Sequence, residues 1–157
     1  MVQQPGPFLV VGIDGQPASA AALCWAVAEA WSHQARVVAV HAFIEPVVSD
    51  VTMVAPDTLQ HAEDAYEAAC QWRDDAMLQL PEYPGARVEV QVRLGPAGPA
   101  LTEAAAGAYL LVVGSYGHHP LHRLVYGSVS RYCLGHAPCP VVAVPYQQRA
   151  TLDAPPF

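Results

Sequence analysis

Residues 109–130 read YLLVVGSYGHHPLHRLVYGSVS. An apolar run, Tyr109 to Val113, leads straight into Gly114, and a second glycine follows at Gly117. A short unbroken apolar run suits a strand covered on both faces, as strands of parallel sheets are. Beyond nine further residues come Gly127, Ser128 and Ser130, at the head of a segment that reads as a helix over about 128–136. The stretch is therefore a strand over 109–113, a glycine-bounded loop from Gly114 to Gly127, and a helix. Glycine after a buried strand permits positive φ and lets backbone N–H groups approach an anion closely. A helix N-terminus offers unpaired N–H donors and partial positive charge to the same kind of partner. Ser128 and Ser130 add hydroxyl donors, and two facing glycine cradles suit a polyphosphate better than a single phosphate. A turn that only ends a strand and caps a helix has the same local pattern, so its place in the fold has to decide between them.

Working outward, the same kind of apolar run recurs at 8–13, ending on Asp14-Gly15, and at 36–43. Residues 87–93 alternate Val88, Val90 and Val92 with polar neighbours, which predicts a half-exposed strand at a sheet edge. Residues 141–144 form a last short strand. Between the strands, 17–34 places Leu23, Val27 and Trp31 at helical spacing behind Pro17, a residue suited to a helix start. A helix over roughly 57–79, capped by Asp57, would bury Leu59, Ala62, Tyr66, Ala69, Met77 and Leu80 on one face and leave its acidic residues in water. An Ala-rich segment over 99–107 gives a short helix. Strict alternation of strand and helix calls for an open parallel sheet with helices on both faces, in one domain over 1–157 with a core at about 8–145 and a loose tail at 146–157. Such sheets bind ligands beyond the carboxyl ends of their strands. That places Asp14, Ala42 and Gly114 onward at the expected site.

Composition narrows the chemistry. The chain of 157 residues is 53% apolar and 13% charged, with a formal charge of −7. A basic surface for nucleic acid or an anionic membrane is not expected from that balance, and no apolar run is long enough for a membrane span. The absence of lysine excludes a Walker-type phosphate loop, which needs one. No acid occurs between Glu103 and Asp153, a stretch that holds Arg123, Arg131, Arg149 and four of the seven histidines. Four cysteines without a CxxC or a disulfide-framework spacing, and no basic-then-apolar leader, point to a reduced cytoplasmic protein.

The spacing Gly114-x2-Gly117-x9-Gly127-Ser128 resembles the nucleotide-binding pattern of the universal stress protein family, in its ATP-binding branch. The opening Val-Val-Gly-Ile-Asp-Gly with Ser19, the Val-His-Ala around His41, and the closing His-Ala-Pro-Cys-Pro-Val-Val-Ala-Val resemble the same family over about 8–145. The resemblance implies a five-stranded parallel sheet in the order 3-2-1-4-5 and a homodimer formed through the C-terminal strand. It implies ATP, or AMP or ADP, as ligand, with Mg²⁺ as companion. Gly12, Ile13 and Asp14 would border the adenosine, and Ala42 would meet the adenine through its backbone. Val113 and Gly114 would line the base and ribose, while Gly117, Gly127, Ser128, Val129 and Ser130 would hold the phosphates. Tyr116 stands where a small or basic residue is frequent, so it would stack on the ligand or crowd it; Ala108 stands where an Asp often precedes the fourth strand.

The remaining residues add detail. Asp14 suits a ribose hydroxyl or Mg²⁺, or simply the turn before Gly15. Arg123 is the permanent cation of the loop and the preferred phosphate partner there. His118, His119 and His122 lack a nearby Cys, Asp or Glu to complete a metal shell, and their charging below about pH 6.5 would tighten a phosphate grip. His41 reads as a satisfied core histidine, and Trp25, Trp31 and Trp72 as packing residues. No general base stands out, so no catalytic residue is assigned. The expected role is an adenine-nucleotide-binding stress-response regulator acting on a protein partner whose identity the residues do not give. A slow ATPase and a nucleotide-free interaction module are the alternatives.

Overall fold

The computed structural model describes residues 6–45, 58–116 and 127–146. In chain order the elements are β1 (Phe8–Gly12), α1 (Pro17–Ser32), β2 (Arg36–Phe43), α2 (Thr58–Met77), β3 (Val88–Leu94), α3 (Ala97–Ala104), β4 (Leu110–Tyr116), α4 (Ser128–His136) and β5 (Val141–Tyr146). The strands form a parallel sheet in the order β3-β2-β1-β4-β5. The alternation of strand and helix, and the strand order that the family resemblance implied, are both present.

The period-two geometry of strands divides the apolar runs between two cores. Leu9, Val11, Val37, Ala39, Leu110 and Val112 point to the face covered by α1 and α2. Val10, Val38, Val40, Leu111 and Val113 point to the face covered by α3 and α4. Each run is continuous because both of its faces are buried. The strand β3 shows the contrasting case. Val88, Val90 and Val92 pack against the first core, and the exposed Glu89 forms a 2.9 Å ion pair with Arg36.

Helix α1 starts with Pro17 in its first turn and packs along a stripe of small residues, Ala18, Ala22, Ala26 and Ala30, beside Leu23 and Val27. Its alanines let it sit close to β1 and β4. Gly114 takes this furthest: a Cβ there would lie 2.5 Å from the Ala18 carbonyl oxygen, so the helix can approach only over a bare Cα.

Three expectations need correction. Leu59 and Tyr66 do not face the core: they are 77% and 46% exposed, and α2 seats itself through Ala69 and Ala76 instead. Trp25 and Trp31 are 37% and 43% exposed on the flanks of α1, so Trp72 is the indole that packs against the first core. The strand β4 continues through Gly114 to Tyr116, where a loop was expected, because pairing with β5 extends to Tyr116 and Tyr146. Asp57, offered as the cap of α2, and the tail beyond Tyr146 lie outside the described residues.

Candidate functional site

The strand order reverses between β1 and β4, and a cleft opens there at the carboxyl ends of the strands, where open parallel sheets bind their ligands. Its cavity volume is about 110 Å³, and it is continuous with solvent. Gly12, Ile13 and Asp14 at the end of β1, Ala42 in β2, Val113, Gly114 and Tyr116 of β4, and Val129 of α4 all line it. Eight of the residues expected from the sequence therefore converge. Gly127, Ser128 and Ser130 stand at the start of α4, beside Val129. Gly117 and Arg123, and with them His118, His119 and His122, lie outside the described residues.

The turn after β1 is held by a small network. The Ile13 N–H donates to the Val40 carbonyl at 2.9 Å, which carries the β1–β2 ladder one residue past the strand. The Asp14 N–H donates to Ser19 Oγ at 3.2 Å, and the Ser19 hydroxyl donates to the Gln16 carbonyl at 3.1 Å. Asp14 Oδ1 accepts the Gln16 N–H at 2.9 Å. This is an Asx turn, the arrangement that short carboxylates favour before a helix. The turn-forming role of Asp14 is thus real, and its second carboxylate oxygen has no hydrogen-bond partner among the described residues.

The opposite wall is the start of α4. Gly127 is the N-cap, with φ −62 and no side-chain cap. Among the described residues the first helical bond of this turn runs from the Arg131 N–H to the Gly127 carbonyl at 3.0 Å. The N–H groups of Ser128, Val129 and Ser130 have no acceptor among the described residues, the condition that makes a helix start attractive to anions. The Ser130 hydroxyl differs from expectation. It is buried and donates to the Gly114 carbonyl at 3.0 Å, so it ties α4 to β4 and only its backbone N–H remains for a ligand.

Helix α3 supplies a third wall that the sequence reading missed. Ala97 and Leu101 line the cleft one helical turn apart, and Leu101 lies against the bare Cα of Gly12. The signal was the i, i+4 spacing of two apolar residues just after the Gly95-Pro96 turn, but no motif marks it. Val40 and His41 also contribute. The walls are mostly aliphatic, and Asp14 is the charged residue among the described lining residues. Tyr116 stands at the rim, 47% exposed. Burial of its ring, then the nearby Asp14 carboxylate and the Tyr146 phenol, push its hydroxyl pKa above the ordinary value. Tyr116 and Asp14 both line the opening.

Among the described residues no group of three or more His, Cys, Asp or Glu is placed to hold a metal, and no helix is long and apolar enough to cross a membrane. The four cysteines are free.

Residues 9–145 match the model of the universal stress protein family. A universal stress protein of Mycolicibacterium smegmatis is 31% identical over 160 residues, covering 98% of this chain and 53% of that protein. The chain spans about half the length of the curated relatives it matches. A universal stress protein family structure from Burkholderia pseudomallei superposes with a TM-score of 0.64 at 25% identity, covering 88% of this chain and 96% of that one. Two others share the fold: a universal stress protein in complex with cAMP (24% identity, TM-score 0.59, 88% and 95% covered) and one from Archaeoglobus fulgidus in complex with dAMP (19%, 0.57, 90% and 99%).

Proposed function

The chain belongs to the universal stress protein family, and from that premise we propose that its cleft binds an adenine nucleotide, in a cytoplasmic regulator whose state or partners change with occupancy. The observation that carries this reading is the meeting, across the strand-order reversal, of an aliphatic slot with helix N–H groups that have no acceptor among the described residues. A planar base suits the slot between Ile13, Ala42 and Leu101, where the backbone of Ala42 can read its edge. The ribose falls to Asp14 and to Val113–Gly114. The phosphates fall to the N–H groups of Ser128, Val129 and Ser130 behind Gly127, with Gly117 and Arg123 assigned by sequence position alone. The cAMP and dAMP found in two proteins of the same fold support an adenine ligand. The ATP-binding spacing Gly114-x2-Gly117-x9-Gly127-Ser128 supports a longer phosphate chain. Mg²⁺ accompanying it would find the second oxygen of Asp14 and otherwise the phosphates themselves, as Mg²⁺ commonly does.

Gly127 gives a clean test. A Cβ there meets no described residue within 4 Å and its φ is ordinary, so Gly127→Ala is expected to leave the fold intact. Any effect on binding then reports how closely the ligand approaches. Calorimetric titration with ATP and with AMP is expected to show affinity reduced about tenfold, or about 1.4 kcal/mol, at an unchanged melting temperature. Equal affinity in the variant and the parent would contradict the phosphate placement.

A homodimer through β5 is part of the same proposal. β5 is an edge strand, and Val141 to Val144 are all only half-buried. Edge strands with apolar residues on both faces are prone to pair with another chain.

A further inference from the structure

His41 and Trp72 lie outside the phosphate-binding pattern, and the geometry points to a joint role for them. We propose that they are positioning residues, forming a clamp that fixes the Ile13–Gln16 turn in the shape the nucleotide meets. His41 Nδ1 lies 3.0 Å from the Ile13 carbonyl oxygen. A carbonyl can only accept, so Nδ1 carries the proton and donates. With the Ile13 N–H bonded to Val40, both backbone groups of Ile13 are held by β2, and the residue that follows is Asp14.

Trp72 of α2 closes the other side. Its indole meets the His41 ring edge-on, with centroids 4.9 Å apart and an interplanar angle of 89°. It also lies against Gly15: a Cβ there would fall 2.6 Å from the indole, and Gly15 has φ +77, a conformation that favours glycine. Sequence-distant residues of β2 and α2 thus grip the two peptide units on either side of Asp14. The Asx turn sets the local shape of that loop, and the clamp sets where the loop stands relative to the slot lined by Ala42. The clamp rests on the nucleotide reading for its purpose but not for its existence.

The test separates the two. His41→Leu fills the space but removes the donor, whereas His41→Asn keeps an N–H near the position of Nδ1. Trp72→Ala opens the space over Gly15, whereas Trp72→Phe keeps an aromatic face. Amide exchange of residues 13–19 and AMP affinity are measured for all four and for the parent, alongside melting curves that identify folded variants. Folded His41→Leu and Trp72→Ala are expected to exchange faster and to bind AMP about fivefold more weakly, the worth of one net hydrogen bond. His41→Asn and Trp72→Phe are expected to stay within twofold of the parent, a rescue that packing alone would not produce at His41. If Trp72→Ala does not fold, the His41 pair decides. Exchange in His41→Leu equal to that of the parent would overturn the clamp. A parent that binds no AMP, with exchange still raised in His41→Leu, would uphold the clamp and remove the nucleotide reading.

Discussion

Gly114 lines the cleft and Gly127 caps α4 beside it, and glycine serves a different purpose at each. At Gly114 the bare Cα admits the Ala18 backbone of α1, so a side chain there would part α1 from β4. At Gly127 no described residue comes within 4 Å of where a Cβ would stand, and in the proposed site that space is the phosphates'. The sequence reading put both at the ligand, Gly114 beside the base and ribose and Gly127 at the phosphates, because spacing alone does not reveal which neighbour needs the room. Cys133 offers a prediction that is independent of the ligand. Burial pushes its thiol pKa up from 9.0 to about 11. Between those values the unfolded chain has lost the proton and the folded chain still holds it. Folding then binds a proton, and stability falls as pH rises through that window. Urea midpoints should decline from pH 9 to 11, with a shallower decline in Cys133→Ala. An identical slope in the two proteins would contradict the assignment. The sequence reading expected Asp14 and Ser130 at the ligand; the turn role of Asp14 was among its alternatives, and the Ser130 hydrogen bond was not foreseen. Asp14 accepts from the Gln16 N–H, and the Ser130 hydroxyl donates to the Gly114 carbonyl, a bond that depends on tertiary geometry no composition pattern encodes.

Among the elements, the strands were read best because burial on both faces leaves a plain apolar run. β2 matches its expected limits, and β1 is one residue shorter than expected. α4 starts and stops as read, between Gly127 and the Pro138–Pro140 segment. The helix α2 was misread at Leu59 and Tyr66, since helical periodicity marks an apolar stripe but not how far along the helix the sheet supports it. At the end of α1, Gln34 adopts φ +52, a left-handed conformation that is costly for a side chain. The Ala35 N–H reaches back to the Ala30 carbonyl at 2.9 Å around it, and glycine is the usual residue at such a helix end. Gln34→Gly should therefore stabilise the fold by about 0.5–1 kcal/mol in chemical denaturation, relief of left-handed strain outweighing the extra freedom of the unfolded chain. A less stable variant would mean that the Gln34 side chain contributes something the backbone account omits.

For the whole molecule, the doubly covered sheet puts the cleft where the strand order reverses, and the two cores that meet there hold its walls in place. Architecture and cleft position were legible because strict alternation of elements leaves few arrangements open. The α3 wall was not, because Ala97 and Leu101 gain meaning only when α3 folds back over β1 and β2. The half-buried β5 edge makes a definite prediction about assembly. Sedimentation equilibrium should give about twice the 16.7 kDa chain mass. A 16.7 kDa species at all concentrations would contradict the β5 dimer while leaving the cleft untouched. The central claim is that the cleft holds an adenine nucleotide, and native mass spectrometry tests it most directly. The freshly purified chain, alone and after addition of AMP or ATP with Mg²⁺, should carry one adenine nucleotide per chain. A chain that stays bare in every sample would contradict the account.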